Sequence, residues 1–240
     1  MKQNQLVKIR NVVEADQCIN YLINRPKLEM VGLGLIYGRP GYGKTTFAQR
    51  IAFQRGYIYM RLEAYTTAKT FASMLVTALY EHYSINDVVP IGTAQNLYKL
   101  CMQILEEHPE TVIIIDEIDY AFDQVKLLGA IRDIVDETLA IIILVGMQTA
   151  KDRLSRLNEY YFDRCNTFYE FQPVSKKDIK KVAQEVLDIP VTTRIVDDIY
   201  NTSKGNLRKA VKMMYSIETG QMEAPETASE LIDPETQDED

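Results

Sequence analysis

Eight residues, Gly38-Arg39-Pro40-Gly41-Tyr42-Gly43-Lys44-Thr45, fit the spacing of a phosphate-binding loop, and that loop dictates much of what must surround it. Its glycines let the backbone wrap tightly with N–H groups turned inward, which makes an anion cradle. The run 31–37 reads as a buried strand leading into the loop, and 46–55 as a helix leaving it with its positive N-terminus toward the anion. A loop of this kind takes a nucleoside triphosphate: Lys44 reaches the β- and γ-phosphates, and the Thr45 hydroxyl ligates Mg²⁺. Gly38, Pro40, Gly41, Tyr42, Gly43, Lys44, Thr45 and Thr46 are therefore the expected contacts with ATP.

About seventy residues further on, the β-branched run 111–115 ends in Asp116-Glu117-Ile118-Asp119. An uninterrupted apolar strand of this type is buried on both faces of a parallel sheet. Acids at its C-terminal end have two jobs beside a bound triphosphate. Asp116 is assigned to the Mg²⁺ shell, and Glu117 to the base that polarises the attacking water.

The rest of the chain alternates. A helix is predicted over 11–24, a second strand over 57–62, and helices over 70–83, 93–107 and 123–137. Strands follow at 140–145 and 167–171. Strands alternating with helices imply parallel β-α units and a ligand beyond the strands' C-terminal ends. The expected fold class is α/β: a three-layer αβα P-loop NTPase core with a five-stranded parallel sheet. Beyond Pro173 the pattern is wholly helical, over 176–187, 192–201 and 206–218, and reads as a small C-terminal helical lid punctuated by Pro190 and Gly205. The expected organisation is a nucleotide-binding core over 1–172, a lid over 173–218 and an acidic, disordered tail over 219–240.

Charge supports that tail. The chain carries a net charge of −7, but residues 218–240 hold nine acids and no Lys or Arg, leaving 27 bases against 25 acids before them. With neither a signal-like start nor an apolar stretch of spanning length, the expected setting is cytoplasmic, with no membrane. Cys18, Cys101 and Cys165 are widely spaced, and with His82 and His108 they argue for neither a disulfide framework nor a zinc site.

Two arginines narrow the class. Arg208, in Gly205-Asn206-Leu207-Arg208, opens the last lid helix, where it is expected to meet the γ-phosphate. Arg164, in Asp163-Arg164-Cys165, precedes the last strand, where it is expected to face a neighbouring subunit and stabilise charge during phosphoryl transfer. Together with the loop, the acid pair and a polar residue after the fourth strand, these motifs resemble the AAA+ ATPases over residues from about 5 to 218. Asp163-Arg164-Cys165 is similar to the arginine-finger motif of clamp loaders, and Gly205-Asn206-Leu207-Arg208 to the sensor-2 motif of clamp loaders and initiators. The sensor-1 position, usually Asn, Ser or Thr, falls at Gln148 or the neighbouring Met147.

Within that superfamily the compact size and the 32–38 run resemble the transposition ATPases of the MuB, TnsC and IstB type. The resemblance implies ATP-dependent assembly as a homo-oligomer or helical filament on duplex DNA, and delivery of target DNA to a transposase. The helix-turn-helix extension of MuB is not expected here. Because the body carries only +2, DNA contacts must repeat along an oligomer and read the backbone rather than the bases. Lys69 with Thr66 and Thr67, and Lys126 with Arg132, are the candidates; the cluster Lys176, Lys177, Lys180 and Lys181 reads more simply as a solvated face. An ATPase acting on a protein partner and a non-hydrolysing ATP switch stand as alternatives.

Overall fold

In the computed structural model, which describes residues 1–2, 5–157 and 162–220, contacts group the chain into two units. One comprises Glu14–Pro40 and Lys44–Phe171; the other comprises Met1–Val13, Gly41–Gly43 and the residues from Gln172 onward. The division differs from a sequence boundary at 172 because the first thirteen residues pack with the C-terminal helices. The sequence expectation of an acidic tail falls, from 221 on, outside the described residues.

The larger unit is organised by β1 (Gly32–Gly38), β2 (Ile58–Arg61), β3 (Val112–Asp116), β4 (Ile141–Val145) and β5 (Cys165–Phe171). They form one parallel sheet in the order β2-β3-β4-β1-β5. Every residue of β1, β3 and β4 is buried, which is why these segments read as continuous apolar runs rather than alternating ones. Around the sheet lie α1 (Arg10–Ile23, whose first turn belongs to the other unit), α2 (Lys44–Arg55), α3 (Ala68–His82), α4 (Ala94–Glu107), α5 (Val125–Glu137) and α6 (Ala150–Leu157). Thr67 and Thr93 cap α3 and α4 by accepting the backbone N–H three residues on.

Two elements escape the sequence reading. The short helix α6 buries Ala150 and Leu154 in a largely polar octapeptide, too few apolar positions to show a period. A 3₁₀ turn over Ile118–Ala121 links β3 to α5, compressing the helix expected from 123 to a start at Val125. A buried cation is also used structurally. Arg25, 5% exposed, donates to the carbonyls of Leu22, Met30 and Leu139, tying the end of α1 to the segments that enter β1 and β4. Three carbonyls satisfy the guanidinium where burial alone lowers its pKa.

The smaller unit is built on α7 (Lys176–Val186), α8 (Thr193–Ser203) and α9 (Leu207–Glu218). Ser175 and Asp178 form a reciprocal capping box at α7, Thr192 caps α8, and Asn206 caps α9. Val7 and Ile9 join Ile179, Val182, Ile195, Ile199, Ala210 and Met214 in its core. Within this unit the loop tip Gly41–Gly43 meets the start of α9, where the Arg208 N–H donates to the Gly41 carbonyl at 2.9 Å.

Candidate functional site

The phosphate loop runs from the end of β1 into α2. Gly43 holds φ = +99°, a backbone conformation that an L side chain resists, and a Cβ there would lie 2.8 Å from Leu207 Cδ2. Only glycine lets the backbone take this path. Lys44 is 8% exposed, and its Nζ donates to the carbonyls of Gly38 at 2.7 Å and Arg39 at 3.1 Å. An ammonium gathered into a glycine-shaped loop at a helix N-terminus is the chemistry a polyphosphate needs, so these residues fit ATP. Thr45, the first residue after that lysine, and Asp116 supply hard oxygen ligands of the kind Mg²⁺ takes.

Strand register brings the acids to the same end of the sheet. Asp116 pairs with Val145 across β3 and β4, and Val145 pairs with Ile36 across β4 and β1. Asp116 is 2% exposed and well partnered: its Oδ1 accepts the Glu117 N–H at 2.9 Å, and its Oδ2 accepts the Tyr59 hydroxyl at 3.0 Å. Gln49 Nε2 in turn donates to the Tyr59 oxygen. Burial, and then the Asp116 charge, push the Tyr59 phenol up to about 12, so it stays a donor. Sequence reading missed Tyr59, since a tyrosine in a strand signals core and nothing in the spacing tells which atom it meets.

Tyr59→Phe removes one hydrogen bond to a buried carboxylate. It is expected to destabilise the chain by about 1.5–3 kcal/mol and to raise the Mg²⁺ concentration needed for half-maximal nucleotide-dependent stabilisation. Denaturant unfolding and a Mg²⁺ titration check this; an unchanged midpoint and titration would remove Tyr59 from the site.

Glu117 sits at φ 58°, ψ 43°, a left-handed conformation costly for a non-glycine residue and common where function over-determines the backbone. Its Oε1 accepts from Arg61 Nη2 at 3.3 Å, across the exposed end of β2. The turn after it is braced. Asp119 Oδ2 accepts the Met147 N–H at 2.7 Å, and Arg153 pairs with Asp123 while stacking over Phe122. Arg61 and Asp119 are further residues that spacing alone did not reveal.

Beside the acid pair, the position that follows Val145 is Gly146, with room for no side chain: a Cβ would lie 2.7 Å from Ala150 Cβ and 2.8 Å from Ile118. Gln148 lies two residues further on, exposed, with its Oε1 accepting from Arg39 Nε at 2.9 Å. The amide is thus tied to the phosphate loop, while Met147 is anchored through its backbone.

Arg164 lies elsewhere. β5 runs parallel to β1 with Cys165 opposite Leu33 and Phe171 opposite Gly38, so Arg164 is at the end of β1 remote from the loop. At about 3.3 Å per residue, roughly 17 Å of strand separates them. Its Nε binds both oxygens of Asp136, at 2.6 and 2.8 Å. Of the DNA candidates, Lys69, Thr67 and Lys126 are exposed. Thr66 is not: it is 3% exposed, and its hydroxyl accepts the Glu63 N–H, so it presents no surface donor where the sequence placed one. Arg132 is ion-paired with its neighbour Asp133.

Residues 29–154 match the family described as AAA domain. The chain is similar to the replication factor C large subunit of Nanoarchaeum equitans, 24% identical over 218 residues, or 88% of this chain and 45% of that one. In fold it is similar to the ORC2 protein of Aeropyrum pernix in its ADPNP–ADP complexes, with TM-score 0.68 and 15% identity over 92% of this chain and 66% of that one. It is also similar to the ORC1 protein of the same organism in complex with DNA, with TM-score 0.64 and 17% identity over 90% and 60%. The chain spans about half the length of the curated relatives it matches. With the family matched over just over half of its residues, and the loop and acid pair carried at one end of a five-stranded parallel sheet, the chain belongs to the AAA domain family of AAA+ ATPases.

Proposed function

We propose that this chain is an ATP-hydrolysing, sequence-indifferent DNA-binding protein that oligomerises on duplex DNA and selects target DNA for a transposase. The observation that carries the oligomeric part is the place of Arg164. It lies at the end of β1 away from its own phosphate loop, which supports a role, if it acts on a transition state, at the site of a neighbouring copy. Within one chain, Lys44 and Thr45 would hold the triphosphate with Mg²⁺, which would supply charge neutralisation on the phosphates. Glu117 would take the proton of the attacking water, Asp116 would orient the metal's shell, and Gln148 would add a polar group; a role for Arg208 rests on the sensor-2 resemblance alone.

DNA as the partner is supported by the fold likeness to an ORC1 protein solved with DNA and by the similarity to a replication factor. The transposase rests on the sequence resemblance to the MuB, TnsC and IstB type. Exposed Lys69, Thr67 and Lys126 are the proposed core contacts with phosphates. Among the described residues no helix is long and apolar enough to cross a membrane.

Fluorescence anisotropy on a random-sequence duplex tests the reading. Binding is expected to be cooperative with ATP, to fall steeply as salt rises from about 50 to 200 mM, and to disappear with ADP. Absence of binding at low salt with ATP would sink it and leave an ATPase directed at a protein partner.

A further inference from the structure

Over residues 1–217, before the acidic stretch that ends the chain, the two units carry opposite net charge. Residues 1–13 and 172–217, with the uncharged Gly41–Gly43, hold twelve Lys and Arg against five Asp and Glu; the remaining residues up to 217 hold fifteen against twenty. The small body charge that argues for weak DNA contact is therefore an average over a basic helical unit and an acidic core.

The basic charge is also ordered. On α7 the lysines at 176, 177, 180 and 181 fall on one face, with Gln184 a turn beyond, while Ile179, Val182, Ala183 and Val186 are buried on the opposite face. The N-terminal segment runs beside this helix. Lys2 N–H donates to the Val186 carbonyl at 2.7 Å, Lys181 Nζ to the Lys8 carbonyl at 3.0 Å, and Arg10 N–H to Asp178 Oδ1 at 3.2 Å. Exposed Lys2, Lys8 and Arg10 thus add three cations to the segment beside this helix. Of the acids nearby, Asp178 caps the helix, Asp197 pairs with Lys176 and so offsets that one lysine, and Glu185 is exposed one turn after Lys181.

We propose that this ridge, on the helical unit rather than on the sheet unit, is the principal surface for the phosphate backbone of duplex DNA. The proposal rests on the DNA-binding reading above and makes Lys69, Thr67 and Lys126 of the sheet unit the lesser contacts. Lysines without an aromatic neighbour on that face read charge and not bases, which matches sequence-indifferent binding. Each phosphate neutralised on B-DNA adds about 0.9 to the slope of log affinity against log salt.

The test uses the full chain with a non-hydrolysable ATP analogue and a random duplex. It compares the wild type, a Lys177→Gln/Lys180→Gln/Lys181→Gln variant and a Lys69→Gln/Lys126→Gln variant. Glutamine at 181 keeps a donor for the Lys8 carbonyl, and nucleotide-induced thermal stabilisation, unchanged in all three, certifies the fold. The ridge variant is expected to lose at least tenfold in affinity and about two to three units of salt slope, more than the sheet-unit variant loses. A ridge variant with wild-type slope, or a larger loss in the sheet-unit variant, overturns the location while leaving DNA binding intact. A wild type that does not bind overturns the location together with the DNA reading.

Discussion

Glu117→Gln is expected to bind ATP as tightly as the wild type and hold it, while turnover falls by about 10²–10⁴-fold. The amide keeps the size of the carboxylate and can still meet Arg61, but it cannot accept the water's proton. Lys44→Ala is expected to behave differently and fail at binding itself. It removes a buried ammonium from the loop and leaves the Gly38 and Arg39 carbonyls without their donor. Equilibrium binding of a fluorescent ATP analogue, run beside single-turnover hydrolysis, separates the two. Equal loss of ATP binding in both variants would refute the division of labour.

The second large effect belongs to Arg164. Arg164→Ala is expected to leave ATP affinity within about twofold while lowering turnover by about 10³-fold or more, the scale of an arginine acting on transferred phosphate. Its ion pair with Asp136 supplies the competing explanation, a structural one. The side chains are 21% and 23% exposed, so losing the pair is expected to cost about 1 kcal/mol or more, and thermal unfolding of both variants is read beside turnover. Asp136→Ala breaks the same pair without touching the guanidinium. If Arg164 acts across a subunit boundary, Asp136→Ala retains turnover, and a mixture of Arg164→Ala with Glu117→Gln recovers activity through composite sites. Matching losses in Arg164→Ala and Asp136→Ala, with no recovery on mixing, would make Arg164 a structural residue.

The phosphate loop, the acid pair and the parallel core were legible in the sequence because each is written locally. Gly43 must be glycine for its own φ, Lys44 follows at a fixed spacing, and β1, β3 and β4 announce burial on both faces by unbroken apolar runs. Capped helices behave the same way, since Ser175 and Asp178 sit three residues apart and satisfy one another. Nothing comparable in spacing marks Tyr59 on Asp116, Arg61 on Glu117 or Asp136 on Arg164, because those contacts join residues 28 to 57 positions apart. They exist only once β2 is laid beside β3 and α5 is brought to the start of β5. Thr66 shows the same limit from the other side: its sequence reads as a surface hydroxyl beside Lys69, and tertiary packing buries it. The lysines of α7 gain their meaning likewise. Their helical face is visible in the spacing, but their union with Lys2, Lys8 and Arg10 depends on a chain start that folds back onto the C-terminal helices. Local geometry can be encoded by neighbouring residues; the partner of a charge is chosen by whichever distant segment the packed core delivers to it.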